Sequence, residues 1–269
     1  MDINADITSV TSPVPFLFCE QSRRMGIEKW IGIDYAVSCH VIWVGRTGSG
    51  KSIAAKILLA RTILLSPPEL QPIELTVIDP KEDIDFDYLE GLPRYYRGDE
   101  APQGFNDFYE SYIRRKEKTD LSTNLKILFA DEFSSLVDLI DSKTERESVQ
   151  KKLKLLLMLS RSRRFSVQMA TQQPSAKIFG DGASGSRGQF GVVCFLSDSG
   201  GDSETLQMLF DAQSRKRIAE YGSIGVRGVG WLSINGGIAQ PVRVPFVENM
   251  DKLNAVISNN LKGLSGMII

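Results

Sequence analysis

Apolar residues in this chain fall into short runs of two kinds, and the two kinds alternate. Residues 40 to 44 form a β-rich run that stops at Gly45, whereas from 51 to 65 apolar positions recur at helical spacing until Pro67-Pro68 ends them. The order is strand, glycine loop, helix. Residues 75 to 79 predict a strand closed by Asp79-Pro80, followed by a Pro/Gly/Asp-rich linker and a polar helix over 105–118. A buried-type strand over 125–131, an amphipathic basic helix over 143–161 and a strand over 166–171, halted by Pro174, continue the series. Beyond Gly188 the pattern predicts a strand over 190–196, a helix over 202–210, strands over 230–234 and 241–246, and a last helix over 249–261 with Asn249 as its N-cap. Alternation at this pitch predicts an α/β fold, a mainly parallel sheet with helices on both faces and a β-rich C-terminal extension.

Three regions follow from the same pattern. Residues 1–25, with Pro13, Pro15 and no sustained periodicity, predict an N-terminal arm; 26–248 form one large domain; 249–269 form a terminal helix and tail. No internal repeat occurs, and the Gly/Ser-rich stretch 180–188 is loop-like.

Composition narrows the chemistry. The 269 residues are 42% hydrophobic and 24% charged, ordinary for a soluble globular chain. A net charge of −1 gives no global attraction to polyanions, so contact with nucleic acid must come from local clusters. Cys19, Cys39 and Cys194 are scattered with no CxxC pair, which fits free thiols in a reducing compartment. His40 is the sole histidine, so a histidine metal site or histidine-dependent nucleophile has no support. The longest apolar stretch, 155–159, falls far short of the roughly 18–20 residues that cross a bilayer. The acidic, Ser/Thr/Pro-rich start lacks the basic flank and apolar core of a signal peptide, and the expected location is cytoplasmic. Trp30, Trp43, Trp231 and Tyr35 lie in strand-like surroundings and are expected in the core.

Gly45-Arg46-Thr47-Gly48-Ser49-Gly50-Lys51-Ser52 satisfies GxxxxGK[ST] between a strand and a helix, the context that turns this spacing into a phosphate loop. Glycines let the loop bend with its N–H groups inward, and the following helix N-terminus favours negative charge. Lys51 is expected to reach the β- and γ-phosphates of ATP, and Ser52 to offer its hydroxyl to magnesium. Asp131 and Glu132 end an apolar strand at the edge where α/β sheets bind ligands. Asp131 is expected to hold the magnesium ion through its water shell, and Glu132 to orient and deprotonate the attacking water. An ordinary acidic N-cap is the competing reading of this pair. Gln172, closing the strand over 166–171, is the candidate sensor of the γ-phosphate; a solvated loop amide is its plain alternative.

The segments GRTGSGKS, VIDPKE, ILFADEF and MATQQPS, in that order, resemble the FtsK/SpoIIIE branch of the HerA/FtsK ATPases over residues 30 to 247. Asp79-Pro80-Lys81, Asp202-Ser203 before a Leu-rich helix, and Pro241-Val242-Arg243-Val244 are similar to further segments of that family. The resemblance implies a RecA-like P-loop NTPase fold and a homo-oligomeric, usually hexameric ring. It also implies ATP sites at subunit interfaces and double-stranded DNA moved through the pore. It also implies an arginine that reaches the neighbouring subunit's nucleotide, a position best filled by Arg161, with Arg163 or Arg164 as substitutes and a solvated helix end as the plain reading. Departures are ATQQP where ATQRP is usual, and RSRR where a small residue and glycine are common. The 22 or so residues after Val247 look too few for a winged-helix DNA-reading domain, so a mobile-element, conjugative or phage-related motor is expected, with an accessory or loading protein as a possible partner. Candidate DNA contacts are the loop 175–188, with Lys177 and Arg187, and the helix bearing Lys151, Lys152 and Lys154; a flexible loop and a solvated helix face are the bland reading. Type VII-like protein secretion and a non-hydrolysing regulatory subunit are the competing functions. Lys51, Asp131 and Glu132 together speak against the second.

Overall fold

The computed structural model describes residues 13–180, 188–197, 203–222 and 226–264. Ten strands form one sheet: β1 (Val14–Cys19), β2 (Trp30–Ile33), β3 (Val41–Val44), β4 (Glu74–Asp79), β5 (Tyr95–Arg97), β6 (Lys126–Ala130), β7 (Phe165–Thr171), β8 (Val192–Leu196), β9 (Val229–Ile234) and β10 (Gln240–Arg243). The helices are α1 (Glu20–Arg24), α2 (Lys51–Leu65), α3 (Ala101–Lys116), α4 (Phe133–Asp138), α5 (Lys143–Leu159), α6 (Ala176–Phe179), α7 (Ser203–Leu209), α8 (Ala212–Tyr221) and α9 (Met250–Leu261). Strand order is β2-β1-β10-β9-β8-β3-β7-β6-β4-β5. From β8 to β5 every neighbouring pair is parallel, and from β8 to β2 every pair is antiparallel. The expected α/β architecture is therefore present, and its antiparallel wing is built from both ends of the chain.

Because β3, β6 and β7 are buried on both faces, alternate residues feed different cores. Val41, Trp43, Ile127 and Phe129 join a layer with α2 and α9, while Ile42, Val44, Leu128 and Ala130 join a layer with α3, α4 and α5. Helix α2 is rich in Ala and Leu, strong helix formers, and is buried along most of its length between the sheet and α9. It stops at Ser66, which is extended as the residue before Pro67 requires. Asn249 caps α9 as expected, accepting from the Lys252 N–H at 3.0 Å.

Two segments depart from the sequence expectation. Residues 14–19, expected within an arm, form β1 between β2 and β10. Phe16 is fully buried, edge-on to Trp43 with centroids 5.7 Å apart, a contact worth about 0.5–1.5 kcal/mol beyond its buried area. Pro15 is accommodated inside the sheet because the β1–β2 register shifts between Pro15 and Leu17. Glu20, just after β1, is 2% exposed and receives Arg243 Nε at 2.6 Å and Nη2 at 2.9 Å, clamping the two ends of the chain together. Helix α3 begins at Ala101, with Pro102 in its first turn, four residues ahead of its expected start. Strands β2 and β5 and helices α1, α4 and α8 were not marked by the periodicity, each being short or dominated by polar residues.

Candidate nucleotide site

Strand β3 runs straight into the glycine loop, and the Gly45 N–H continues the ladder to the Thr171 carbonyl at 3.3 Å. Gly45 has φ +153°, and a Cβ there would lie 2.1 Å from the Leu196 carbonyl oxygen, so no other residue fits. Gly48 and Gly50 also have positive φ, +79° and +104°. Gly50 supplies no side-chain cap to α2, which leaves the helix's first N–H groups directed to the loop. Behind the loop, the Gly228 N–H donates to the Ser49 carbonyl at 3.1 Å, so the segment before β9 braces it.

Lys51 is 9% exposed, and its Nζ donates to the loop carbonyls of Gly45 (2.6 Å) and Arg46 (3.0 Å). Burial lowers its ammonium pKa most; Glu132 and Asp131 oppose that, and the charge of Lys81 adds to it. Ser52, the second residue of α2, is half-buried.

Strand β7 lies between β3 and β6, so the residues ending β7 separate the loop from the two carboxylates ending β6. Glu132 is 6% exposed and adopts left-handed backbone, φ 49° and ψ 65°, a strained conformation for this residue type. That turn aims its carboxylate at β7. Its Oε1 accepts from Ser134 Oγ (2.7 Å), Thr171 Oγ1 (3.1 Å) and the Gln172 N–H (3.2 Å), and its Oε2 lies 3.5 Å from Lys81 Nζ. Burial alone would raise the Glu132 carboxyl, but these donors and the Lys81 charge outweigh it and hold it below the ordinary range. Gln172 Nε2 donates to Thr47 Oγ1 at 3.3 Å, linking the end of β7 to the loop.

Asp131 sits in the opposite electrostatic situation. Burial pushes its carboxyl up to about 7, helped by Asp79, Asp83 and Glu132 and opposed by Lys51. This excess of crowded carboxylate matches a site for a hard divalent cation. Ser52 and Asp131 are the oxygen donors expected to face magnesium; among the described residues no three His, Cys, Asp or Glu side chains cluster as a metal cage. An ion there would therefore depend on phosphate and water for its remaining ligands.

Beside these groups lies a polar cleft of about 540 Å³ walled by Gly45, Arg46, Lys81, Glu132, Gln172 and Lys177, among others. Glu132 and Gln172 line this cleft, and Lys51, Asp131 and Glu132 lie close enough for their charges to interact. Arg161 does not join them: it is exposed, bonded to the Val37 carbonyl at 3.3 Å, and precedes the start of β7, roughly 20 Å along the strand from Thr171. Arg164 is held by the Glu69 and Thr123 carbonyls and Arg163 lies half-buried against the Arg115 carbonyl, so Arg161 is the least committed of the three. Of the candidate DNA contacts, Lys151 and Lys154 are exposed. Lys152 is engaged by Asn106 and the Tyr109 ring, and Lys177 pairs with Asp138. Arg187 and the rest of 181–187, half of the loop 175–188, lie outside the described residues, as does Asp202. Trp43, Trp231 and Tyr35 are core residues and Trp30 is half-buried, and the three cysteines are free thiols. Among the described residues no helix is long and apolar enough to cross a membrane.

Thr171, Ser134 and Lys81 carry no spacing signal that marks them as site residues. Thr171 and Lys81 fall within the resemblance segments MATQQPS and Asp79-Pro80-Lys81, which assign neither of them a role.

The model of the FtsK/SpoIIIE family matches residues 16–110. The FtsK domain-containing protein YdcQ of Bacillus subtilis (strain 168) is 23% identical over 245 residues, covering 84% of this chain and 47% of its own length. The chain thus spans about half the length of that curated relative. Among solved structures, the cytoplasmic domain of the Thermomonospora curvata type VII secretion ATPase EccC superposes with a TM-score of 0.66 at 16% identity, over 99% of this chain and 33% of that one. The pCW3 conjugation coupling protein TcpA with ATPγS gives 0.60 at 17% identity, over 94% and 72%. VirB4 of Thermoanaerobacter pseudethanolicus gives 0.57 at 10% identity, over 91% and 99%. These likenesses show a shared fold.

Proposed function

We propose that this chain, which the FtsK/SpoIIIE family model matches over residues 16–110 and which is 23% identical to an FtsK domain-containing protein, is a DNA-translocating motor that hydrolyses ATP at the interfaces of a homo-oligomeric, hexameric ring in the cytoplasm. The observation that carries the ATPase half is the placement of Glu132. Its carboxylate is kept ionised by Thr171, Ser134 and the Gln172 N–H, on the wall of the cleft that begins at the phosphate loop.

In this reading the loop N–H groups and the start of α2 bind the phosphates, and Lys51 turns from the Gly45 and Arg46 carbonyls to the β- and γ-phosphates. A magnesium ion held through Ser52 and Asp131 would supply charge neutralisation on the phosphate oxygens. Glu132 takes the proton of a water as its oxygen bonds to the γ-phosphorus and the bond to the ADP oxygen breaks. Gln172, tied to Thr47 and next to Thr171, passes the state of the γ-phosphate to β7. Arg161, remote from its own subunit's loop, completes a neighbour's site, which makes hydrolysis depend on assembly.

The DNA half is supported by the family and by the exposed Lys151 and Lys154 on α5. The test is the steady-state ATPase rate with and without linear double-stranded DNA at low salt, with Glu132→Gln as control. Stimulation by DNA that fades as salt rises and vanishes in the control is the expected result. Hydrolysis indifferent to DNA would replace the DNA motor by a protein-moving one, and nucleotide binding without hydrolysis would leave a regulatory subunit.

A further inference from the structure

Lys81 touches Glu132 but has no part in the reaction as derived so far, yet its mounting is braced on several sides. It lies in the turn after β4, where Asp79 is fully buried and its Oδ2 accepts from the Asp83 N–H (2.9 Å) and Tyr95 Oη (3.0 Å). The next residue, Glu82, has φ +56°, and its side chain occupies the space over Gly98, where a Cβ would lie 2.4 Å from Glu82 Oε1. Arg97 meets the same carboxylate at 3.4 Å. The turn is therefore a braced platform, and the lysine it presents stands in the cleft wall beside Gly45, Arg46, Glu132 and Gln172.

Two features of this placement point to an anionic ligand. Lys81 and Arg46 both line the polar cleft beside the phosphate loop, and cations facing one cleft are stabilised by an anion between them. The second feature is the distribution of bonds on Glu132. Oε1 already receives three donors, so Oε2 is the oxygen left to face a water, and Lys81 covers it at 3.5 Å. With the Lys81 side chain 40% exposed, that ion pair is weak and easily given up.

We propose that Lys81 is a second phosphate-binding cation of the nucleotide site, which passes from Glu132 Oε2 to a γ-phosphate oxygen when a nucleoside triphosphate binds and so frees Glu132 to accept the proton of water. The proposal rests on the ATPase reading above and gives that site its means of telling triphosphate from diphosphate. An interaction of this charged kind contributes about 10- to 100-fold to affinity.

The test is equilibrium binding of ATPγS and of ADP, each with magnesium, to the full chain and to Lys81→Met, Lys81→Gln, Lys81→Arg and Lys51→Ala. Both neutral Lys81 variants are expected to weaken ATPγS by about 10-fold or more while ADP changes less than about 2-fold, with kcat reduced and Lys81→Arg recovering part of both. Equal weakening of the two nucleotides, or none, would overturn the role of Lys81. Should Lys51→Ala bind both nucleotides as tightly as the parent chain, the phosphate-loop reading itself falls, a result separable from failure at Lys81. The exposed ion pair makes folding of the variants straightforward to confirm by thermal melting, and two neutral replacements guard against an effect of side-chain shape.

Discussion

The sole histidine sets up a clean stability experiment. His40 is 2% exposed, its Nδ1 accepts the Val167 N–H at 3.0 Å, and its Nε2 has no hydrogen-bond partner among the described residues. A proton added to Nδ1 would confront that N–H donor in a site that cannot hydrate the cation. Burial first, and the charge of Arg161 second, push the imidazole down to about 3, against about 6.5 in an unfolded chain. As pH falls from 7 to 5 the unfolded chain takes up a proton that the native state refuses, so stability is lost on acidification. The loss begins near pH 6.5 and continues down to the folded value. Over the step from pH 7 to 5 it amounts to about 2 kcal/mol. Asp131 acts the other way: its carboxyl, raised to about 7, is protonated in the native state before it is in the unfolded one, so acidification over the same window is stabilising. The total profile therefore mixes two opposed contributions, and only a difference between chains isolates one. The variant is His40→Asn, whose Oδ1 can accept the same N–H and does not titrate. Urea unfolding followed by tryptophan fluorescence at pH 7 and pH 5 gives the two stabilities for each chain. The parent is expected to lose about 2 kcal/mol more than the variant across the step, whatever the variant's absolute stability. Parallel changes in the two chains would refute the buried, neutral histidine.

Three further perturbations separate the parts of the site. Thr171→Val removes one of three donors to Glu132 Oε1, which disfavours the carboxylate, so the acidic limb of the kcat profile should move to higher pH; a stationary limb would show that the hydroxyl does not support the base. Gly45→Ala places a Cβ 2.1 Å from the Leu196 carbonyl oxygen, and nucleotide binding should be lost together with a lowered Tm; unchanged binding would refute the tight loop geometry. Arg161→Ala should lower the ATPase rate about 10³-fold with little effect on Tm, since the side chain is exposed and makes one bond of 3.3 Å. Mixing that variant with Lys51→Ala should restore part of the activity, because some interfaces then combine an intact loop with an intact arginine; no recovery would rule out action between subunits.

What the sequence discloses and what it conceals divide along the distance between the groups that cooperate. The phosphate loop and α2 are legible because every feature that makes them, from the glycines of positive φ to the lysine folded over the loop, lies within eight consecutive residues. The central parallel strands are legible for a related reason: β3 and β6 are buried on both faces and read as nearly continuous apolar runs, whereas the short edge strand β5 does not. In the antiparallel wing β9 and β10 carry such a signal, but β1 and β2 do not. β1 contains a proline that is tolerable only through a bulge against β2, and its other partner, β10, lies more than 200 residues away, as does the Arg243 that clamps Glu20. The roles of Thr171 and Lys81 are hidden by the same logic, because each acquires its meaning from Glu132, which follows β6, and β6 is neighbour to both β7 and β4 only once the sheet is assembled. A strand-end carboxylate is visible from spacing alone; which of its two oxygens is occupied, and by what, is decided by the crossing order of the strands. That order leaves Oε1 held from the β7 side and Oε2 covered from the β4 side. The chemistry of the site is thus written locally, and its control is written in the topology.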